Sequence, residues 1–344
     1  MIGYQLLERA PLRARNTFGV EATAALLADV RSPAALAELL DYPLVRQSEV
    51  LILGEGSNLL FAGDFNGVVI APATTGIQII EEDADRVRVR AEAGERWDDL
   101  VRWSVGRGLH GLENLALIPG SVGAAPIQNI GAYGADISQS LAFVEAFDRD
   151  QHVHRTLAAA DCVLGYRDSL FKREAQRWVV TAVAFDLRRS ADLRLDYAGV
   201  REEIAAMGVE SPRPLHAAEA ISRIRARKLP LPSLLGNAGS FFKNPSVPSA
   251  QSEALADRFA ELPSFADGDG KQKLSAAWMI EHCGWRGFRE GDAGVAAQHA
   301  LVLVNHGHAS GAQILSVARR VADSVEQTFG VALEPEPRII GAHW

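Results

Sequence analysis

The stretch ENLALIPGSVGAAPIQNIGAYGADIS, residues 113–138, limits the architectures open to this chain more than any other segment. Pro119, Gly120, Gly123, Pro126, Gly131 and Gly134 interrupt any long helix or strand, yet Glu113 and Asp136 are its only charged residues. A loop so long and apolar is poorly suited to be a solvated linker; it either wraps a ligand or packs on itself as a surface Ω-loop. Its glycines give backbone access, and Ser121, Gln128, Asn129 and Tyr133 supply polar and aromatic edges. An earlier turn, LILGEGSN (51–58), leaves an apolar strand-like run through Gly54 and Gly56. Such glycines let backbone N–H groups approach a phosphate, with Ser57 and Asn58 as side-chain donors, although a turn of this kind also serves structure alone. A dinucleotide-fold fingerprint is excluded, because Leu59 stands where the third glycine belongs and LLFAGDFNGVVIAP continues as loop and strand. Two glycine loops in one region suit a long diphosphate cofactor.

The remaining chain reads as α+β. The spacing of Leu, Ala and Val predicts a helix over 21–43; GVVIAP, GIQIIEED and DRVRVRAEAG predict short strands, and RWDDLVRWSVGRG (96–108) predicts a helix with a glycine stop. Residues 141–156 and 177–190 read as strands, and the composition shifts near residue 190. Helices follow at 201–209 and 216–228, then helix, loop-strand and a long amphipathic helix, ending in a strand whose prolines confine it to an edge. With 344 residues and 48% hydrophobic content the chain can bury a large core. A net charge of −8 without blocks of like charge argues against nucleic acid and against a basic membrane-binding face. No apolar run reaches signal-peptide or bilayer length, so a cytoplasmic protein is expected. Cys162 and Cys283, in no CxxC pattern, are expected as buried reduced thiols, and the pairs His152/His154 and His306/His308 lack a nearby third ligand, so no metal is expected.

Several polar residues invite chemistry. In LGYRDSLFK (164–172), Tyr166 precedes Arg167, whose guanidinium is either a bidentate partner for an anion or a surface salt-bridge cation. ISRIRARKLP (221–230) is a basic helix end in which Arg223, Arg225 and Arg227 read as a solvated face, while Lys228 reaches either solvent or a bound phosphate. In GNAGSFFKNP (236–245), Ser240 is set beside two aromatics and Lys243, as though a hydroxyl faced something flat; it is in no G-x-S-x-G elbow, so a hydrolase nucleophile has no local support. Glu334 and Glu336 sit between prolines near the C-terminus.

Seven motifs, NTFGV, LGEGSNLL, IPGSVGAAPIQNIGAYGADI, YRDSLFK, GNAGSFFKNP, AGVAAQHALVLVN and LEPEPRIIG, occur nearly end to end in the order and spacing of one family. The chain resembles the UDP-N-acetylenolpyruvoylglucosamine reductases, the MurB flavoenzymes of bacterial peptidoglycan synthesis. The resemblance implies an FAD-binding fold of the vanillyl-alcohol-oxidase type, made of two α+β subdomains (1–70 and 71–200). It adds a separate α+β substrate-binding domain (201–330) and a C-terminal segment (331–344) that returns to the FAD-binding region. It implies FAD held by Asn16, Thr17, Gly54, Gly56, Ser57, Asn58, Pro119, Gly120, Ser121, Gly123, Asn129 and Gly131. It implies catalysis by Arg167, Ser240 and Glu336, and contacts to UDP-N-acetylglucosamine enolpyruvate from Tyr166, Tyr197, Lys228, Lys243 and Asn244.

The reaction so implied runs from NADPH to FAD, and then as hydride from flavin N5 to the vinyl carbon C3 of the substrate. Arg167 stabilises the charge that builds on the carboxylate and C2, Ser240 delivers a proton to C2, and Glu336 hydrogen-bonds in its protonated form or positions the site. A monomer is expected. Two departures stand out: Glu55 occupies a small-residue position beside a diphosphate and is expected to point to solvent, and Pro337 restricts Glu336 to extended backbone.

Overall fold

The computed structural model describes residues 3–344, which form two compact units: residues through Ala10 with Ala24–Glu55 and Asn66–Ala226, and Pro11–Thr23 with Gly56–Phe65 and Arg227–Trp344.

The first unit is built on two sheets. One has four strands in the order Tyr4–Pro11, Thr23–Val30, Phe65–Pro72, Val50–Ile52, the last two running parallel in register Val50 to Val68. Its core joins Ala28, Val30, Val68 and Ile70 to Leu36, Leu39 and Leu40 of the helix Pro33–Asp41. The single helix expected over 21–43 is therefore a strand followed by a helix. Alanine-rich residues 23–30 have helical composition, but they pair with strands on both sides, and that pairing outweighs a weak intrinsic preference. The helix starts where Ser32 accepts the Ala35 N–H at 3.2 Å and Pro33 takes the first turn.

The other sheet is antiparallel, with strands in the order Val153–Ala158, Leu141–Asp148, Trp178–Arg188, Arg86–Glu92, Ile77–Glu82. Along Arg86–Glu92 burial alternates as the sequence pattern requires: Val87, Val89 and Ala91 enter the core, while Arg88 pairs with Asp186 and Arg90 with Glu145 on the outer face. The inner face receives Leu100 and Val101 of the helix Trp97–Val105 and also Val200, Ile204, Ala217, Ile221 and Ile224. The helices Val200–Ala206 and Pro214–Lys228 thus pack with this sheet, and the compact units divide at 226/227 rather than near 200.

Asp148 is fully buried on this sheet, where it accepts Arg177 Nη2 at 2.8 Å and the Asp150 and Gln151 N–H groups. Arg177 first, then the backbone donors, hold its carboxyl below the usual aspartate range. A carboxyl depressed in the folded state adds stability that is complete above its unfolded pKa and is lost as pH falls through the folded value. Asp148→Asn is expected to cost about 3 kcal/mol, the low end for a broken buried pair since Arg177 keeps some solvent contact, and to flatten the acid limb of a stability-versus-pH curve below about pH 4, measured by urea unfolding. Cys162 is buried as expected, and burial pushes its thiol up to about 11; Cys283 is only half-buried.

In the second unit, Leu59–Phe61 pairs in parallel with Arg338–Ile340, and short antiparallel sheets are formed by Ser246–Pro248, Lys271–Leu274 and Ser264–Ala266 and by Arg289–Glu290, Ala293–Val295 and Leu303–Asn305. The helix Gly311–Phe329 opens with a capping box between Ser310 and Gln313 and closes on Gly330 at φ 66°. No helix among the described residues is long and apolar enough to cross a membrane.

Candidate active site

The strand Val50–Ile52 ends in the first glycine loop, and in the first unit that loop meets the second one directly. A Cβ on Gly54 would run into the Ser121 hydroxyl, and one residue on, Glu55 Oε2 accepts the Gly120 N–H at 2.9 Å while Oε1 accepts Arg96 Nε at 3.1 Å. Glu55 therefore does not point away to solvent. It latches the two loops together, because an amide N–H and a guanidinium satisfy a carboxylate at short range.

The second loop is also less irregular than its composition suggests. Val122–Ile127 winds as a 3-10 helix, with the Val122 and Gly123 N–H groups donating to Glu95 O and Ala93 O at 2.8 and 2.9 Å, and Gly131–Ala132 turns back on Ala135–Asp136 as a hairpin. Gly123 is required by packing, since a Cβ there would lie 2.6 Å from that of Ala93.

Three hydrogen bonds fasten the Tyr166–Arg167 turn to this loop. Asn129 Nδ2 donates to Gly165 O at 3.1 Å, Arg167 Nη2 to Gly131 O at 2.9 Å, and the Ser169 hydroxyl to Ile127 O at 2.6 Å. Gly165 and Asp168 exchange backbone bonds across the turn, so Tyr166 and Arg167 form its tip. Asn129, Tyr133 and Arg167 take φ of 46°, 50° and 54°, the left-handed region that L-residues occupy at a cost. Tyr133 rests edge-on against Tyr197 with centroids 5.0 Å apart, and burial pushes its phenol up from the ordinary tyrosine value.

The second unit gathers the other predicted residues. Thr17 N–H and hydroxyl both donate to Gly56 O, at 3.1 and 3.3 Å. Asn16 is buried with its amide committed to Leu12 O and Val20 O and its oxygen to Val20 N–H, so it shapes this turn from within. Asn58 O accepts the Arg338 N–H and its Nδ2 reaches Glu336 O at 3.4 Å. Glu336 N–H in turn donates to Phe241 O at 2.8 Å, and Phe242 bridges Pro335. Ser240 and Glu336, 96 positions apart in the chain, are thereby set on adjoining backbone segments.

The Ser240 hydroxyl is half-buried and makes no hydrogen bond among the described residues. Phe241 and Phe242, the two aromatics beside it, are 0% and 1% exposed and belong to the core, with ring centroids 5.1 Å apart. Asn237 holds the turn before Ser240 by donating to Pro230 O and Leu235 O and accepting the Gly239 N–H. Lys243 pairs with Glu334 at 2.9 Å, Asn244 Oδ1 accepts the Ala276 N–H at 3.0 Å, and Lys228 is exposed at its helix end.

Residues 24–157 match a family model described as an FAD binding domain, and residues 230–340 match one described as UDP-N-acetylenolpyruvoylglucosamine reductase, C-terminal domain. UDP-N-acetylenolpyruvoylglucosamine reductases of Xanthomonas oryzae pv. oryzae and Xanthomonas euvesicatoria pv. vesicatoria are each 56% identical to the chain, over 100% and 99% of it and 98% of their own lengths. The chain belongs to the UDP-N-acetylenolpyruvoylglucosamine reductase family. The crystal structure of the reductase from Thermus caldophilus shares the fold, with a TM-score of 0.67 at 23% identity over 98% of both chains.

As a member of this family the protein is an FAD-dependent oxidoreductase with the expected α+β FAD-binding fold. The donors at the loop junction suit the cofactor: the Gly54 and Glu55 N–H groups and the Ser121 hydroxyl make no hydrogen bonds among the described residues, and such groups satisfy a diphosphate. Glu55→Ala is expected to leave the protein folded and to raise the FAD dissociation constant about tenfold, with Glu55→Gln, which keeps an acceptor for Gly120, lying between; fluorescence titration of the apoprotein measures both.

Sequence reasoning did not find the Glu55 latch, or Asn114, whose amide joins Tyr133 O to Arg194 O. The only signal for Glu55 was its being an acid where small residues are usual; Asn114 gave none.

Proposed function

We propose that the protein reduces UDP-N-acetylglucosamine enolpyruvate to UDP-N-acetylmuramate, with NADPH as hydride source, in the cytoplasmic synthesis of peptidoglycan precursors, and that it works as a monomer. The observation that carries this reading is the backbone bond that places Ser240 beside the Glu336 segment, in a chain matching reductases over its full length. The two glycine loops would hold FAD, which when bound would supply the hydride chemistry that links NADPH to the vinyl carbon of the substrate.

The chain's own residues do the rest. Arg167, held at its turn tip by Gly131 O, meets the carboxylate on which charge builds as C2 becomes carbanion-like. Ser240, whose hydroxyl has no competing acceptor among the described residues, gives its proton to C2; a weak acid suffices when the acceptor is a strong base held close and dry. Glu336 either shares in proton delivery or positions the substrate carboxyl. Tyr197 closes over the ligand, and Tyr166, next to Arg167 at the tip of its turn, contacts it as well. Lys228, Lys243 and the Asn244 amide N–H groups serve the diphosphate and uracil; Lys243 exchanges Glu334 for phosphate, which is feasible because so exposed an ion pair is weak. The loop residues Gly54, Gly56, Ser57, Asn58, Pro119, Gly120, Ser121, Gly123 and Gly131 hold the cofactor, with Asn16, Thr17 and Asn129 supporting them.

Incubating the protein with NADPH and the enolpyruvyl substrate in deuterated water tests this. A product with one solvent deuterium at C2 is expected, read by NMR, and the absence of any reduced product would sink the proposal.

A further inference from the structure

Residues 189–199 run between the strand Trp178–Arg188 and the helix Val200–Ala206 without helix or strand of their own, and they carry Tyr197, whose ring is left 45% exposed. The segment is fixed at two points. Leu195 enters the core of the five-stranded sheet, and Val200 is fully buried where the helix begins. Between these points Asp196, Tyr197 and Ala198 form an exposed arc, and Gly199 follows at φ 91°, a conformation that suits glycine.

Asn114 holds the near end of that arc. It is 3% exposed in the buried 3-10 turn Glu113–Leu115, and its Nδ2 donates to Arg194 O at 2.9 Å and to Tyr133 O at 2.8 Å. A side-chain amide carries two N–H donors, so one buried group ties the backbone beneath Tyr197 to the second glycine loop. Tyr133 in turn supports the Tyr197 ring edge-on, with centroids 5.0 Å apart, from its own left-handed φ of 50°. The other tie of Arg194, from its guanidinium to Gln139, lies at the surface, where water replaces it at little cost. Removing the Asn114 amide instead takes a donor from two part-buried carbonyls at once, so Asn114 sets where the arc stands.

We infer that Asn114 is a positioning residue for ligand binding: its amide fixes the base from which Tyr197 closes, so the ring meets the ligand without the whole of 189–199 having to be ordered first. The inference rests on the proposed reductase function and adds to it a residue that acts through Tyr197.

Isothermal titration of the FAD-loaded, oxidised protein with UDP-N-acetylglucosamine enolpyruvate tests it, in a double-mutant cycle with Tyr197→Ala. Asn114→Ala is expected to weaken binding about tenfold, while FAD content and the rate of flavin reduction at saturating NADPH stay within about twofold of the unaltered protein. In the Tyr197→Ala background, which itself binds weakly, adding Asn114→Ala is expected to change affinity by less than about twofold, since no ring is left to position. Asn114→Ser, which keeps one donor, is expected to lie between Asn114→Ala and the unaltered protein. An equal loss in both backgrounds, normal binding by Asn114→Ala or by Tyr197→Ala, or reduced FAD content in both Asn114→Ala and Asn114→Ser would overturn the inference. If the unaltered protein turns over the enolpyruvyl substrate while Asn114→Ala binds it normally, only the role of Asn114 fails; if the unaltered protein does not bind it, the functional reading fails as well.

Discussion

Ser240→Ala is expected to slow transfer from reduced protein to the enolpyruvyl substrate by about 10²–10⁴-fold, the usual contribution of a positioned proton donor, while NADPH still reduces the flavin at the normal rate. The separation of the two half-reactions is what makes the variant informative. Ser240 lies at a backbone bridge to Val302, after the turn that Asn237 holds, and its hydroxyl has no bond within the described residues to lose. Removal of the oxygen should therefore leave folding, FAD content and ligand affinity close to normal. Rapid mixing of the pre-reduced variant with substrate measures the step directly; a rate within about threefold of the unaltered protein would assign proton delivery elsewhere, Glu336 being the nearest alternative along the backbone.

The second large effect belongs to Gly56. Its φ of 65° lies in the left-handed region, and a Cβ there would run into Arg15 O and lie 2.8 Å from Asn16 Cα, both of them backbone that cannot move aside. Gly56→Ala is expected to destabilise the protein by about 3 kcal/mol or more and to release FAD, since the same peptide accepts both Thr17 bonds. Gly134→Ala is the control: its φ of 78° is similar but nothing lies within 4 Å of the added carbon, so only the backbone cost of about 1–2 kcal/mol remains. Thermal melts and flavin absorbance of the two variants compare a steric and conformational defect with a conformational one alone.

Much of this was legible in the sequence, for reasons that can be traced to particular residues. The alternation in Arg86–Glu92 and the amphipathic spacing of Gly311–Phe329 are local signals, and both elements stand where the patterns put them. The strand Thr23–Val30 was hidden because alanines fit a helix locally and only their strand partners make them extended. The apolar residues Ile204, Ile221 and Ile224 announce buried helix faces but not which core receives them; the composition shifts near residue 190, while packing divides the compact units at 226/227.

The site divides in the same way. Motif order is what proposes Arg167, Ser240 and Glu336, whereas the aromatic pair after Ser240 carries no local sign that it belongs to the core, as its burial shows. Glu55 looked like a misplaced charge because its partner Gly120 is 65 positions away.

The central claim is that electrons pass from NADPH through the bound flavin to an enolpyruvyl group. Anaerobic addition of NADPH to the yellow protein should bleach the flavin band, and subsequent addition of UDP-N-acetylglucosamine enolpyruvate should restore it in proportion to substrate added. A flavin that bleaches with NADPH and stays bleached in the presence of that substrate, yet recovers when oxygen is admitted, would contradict it.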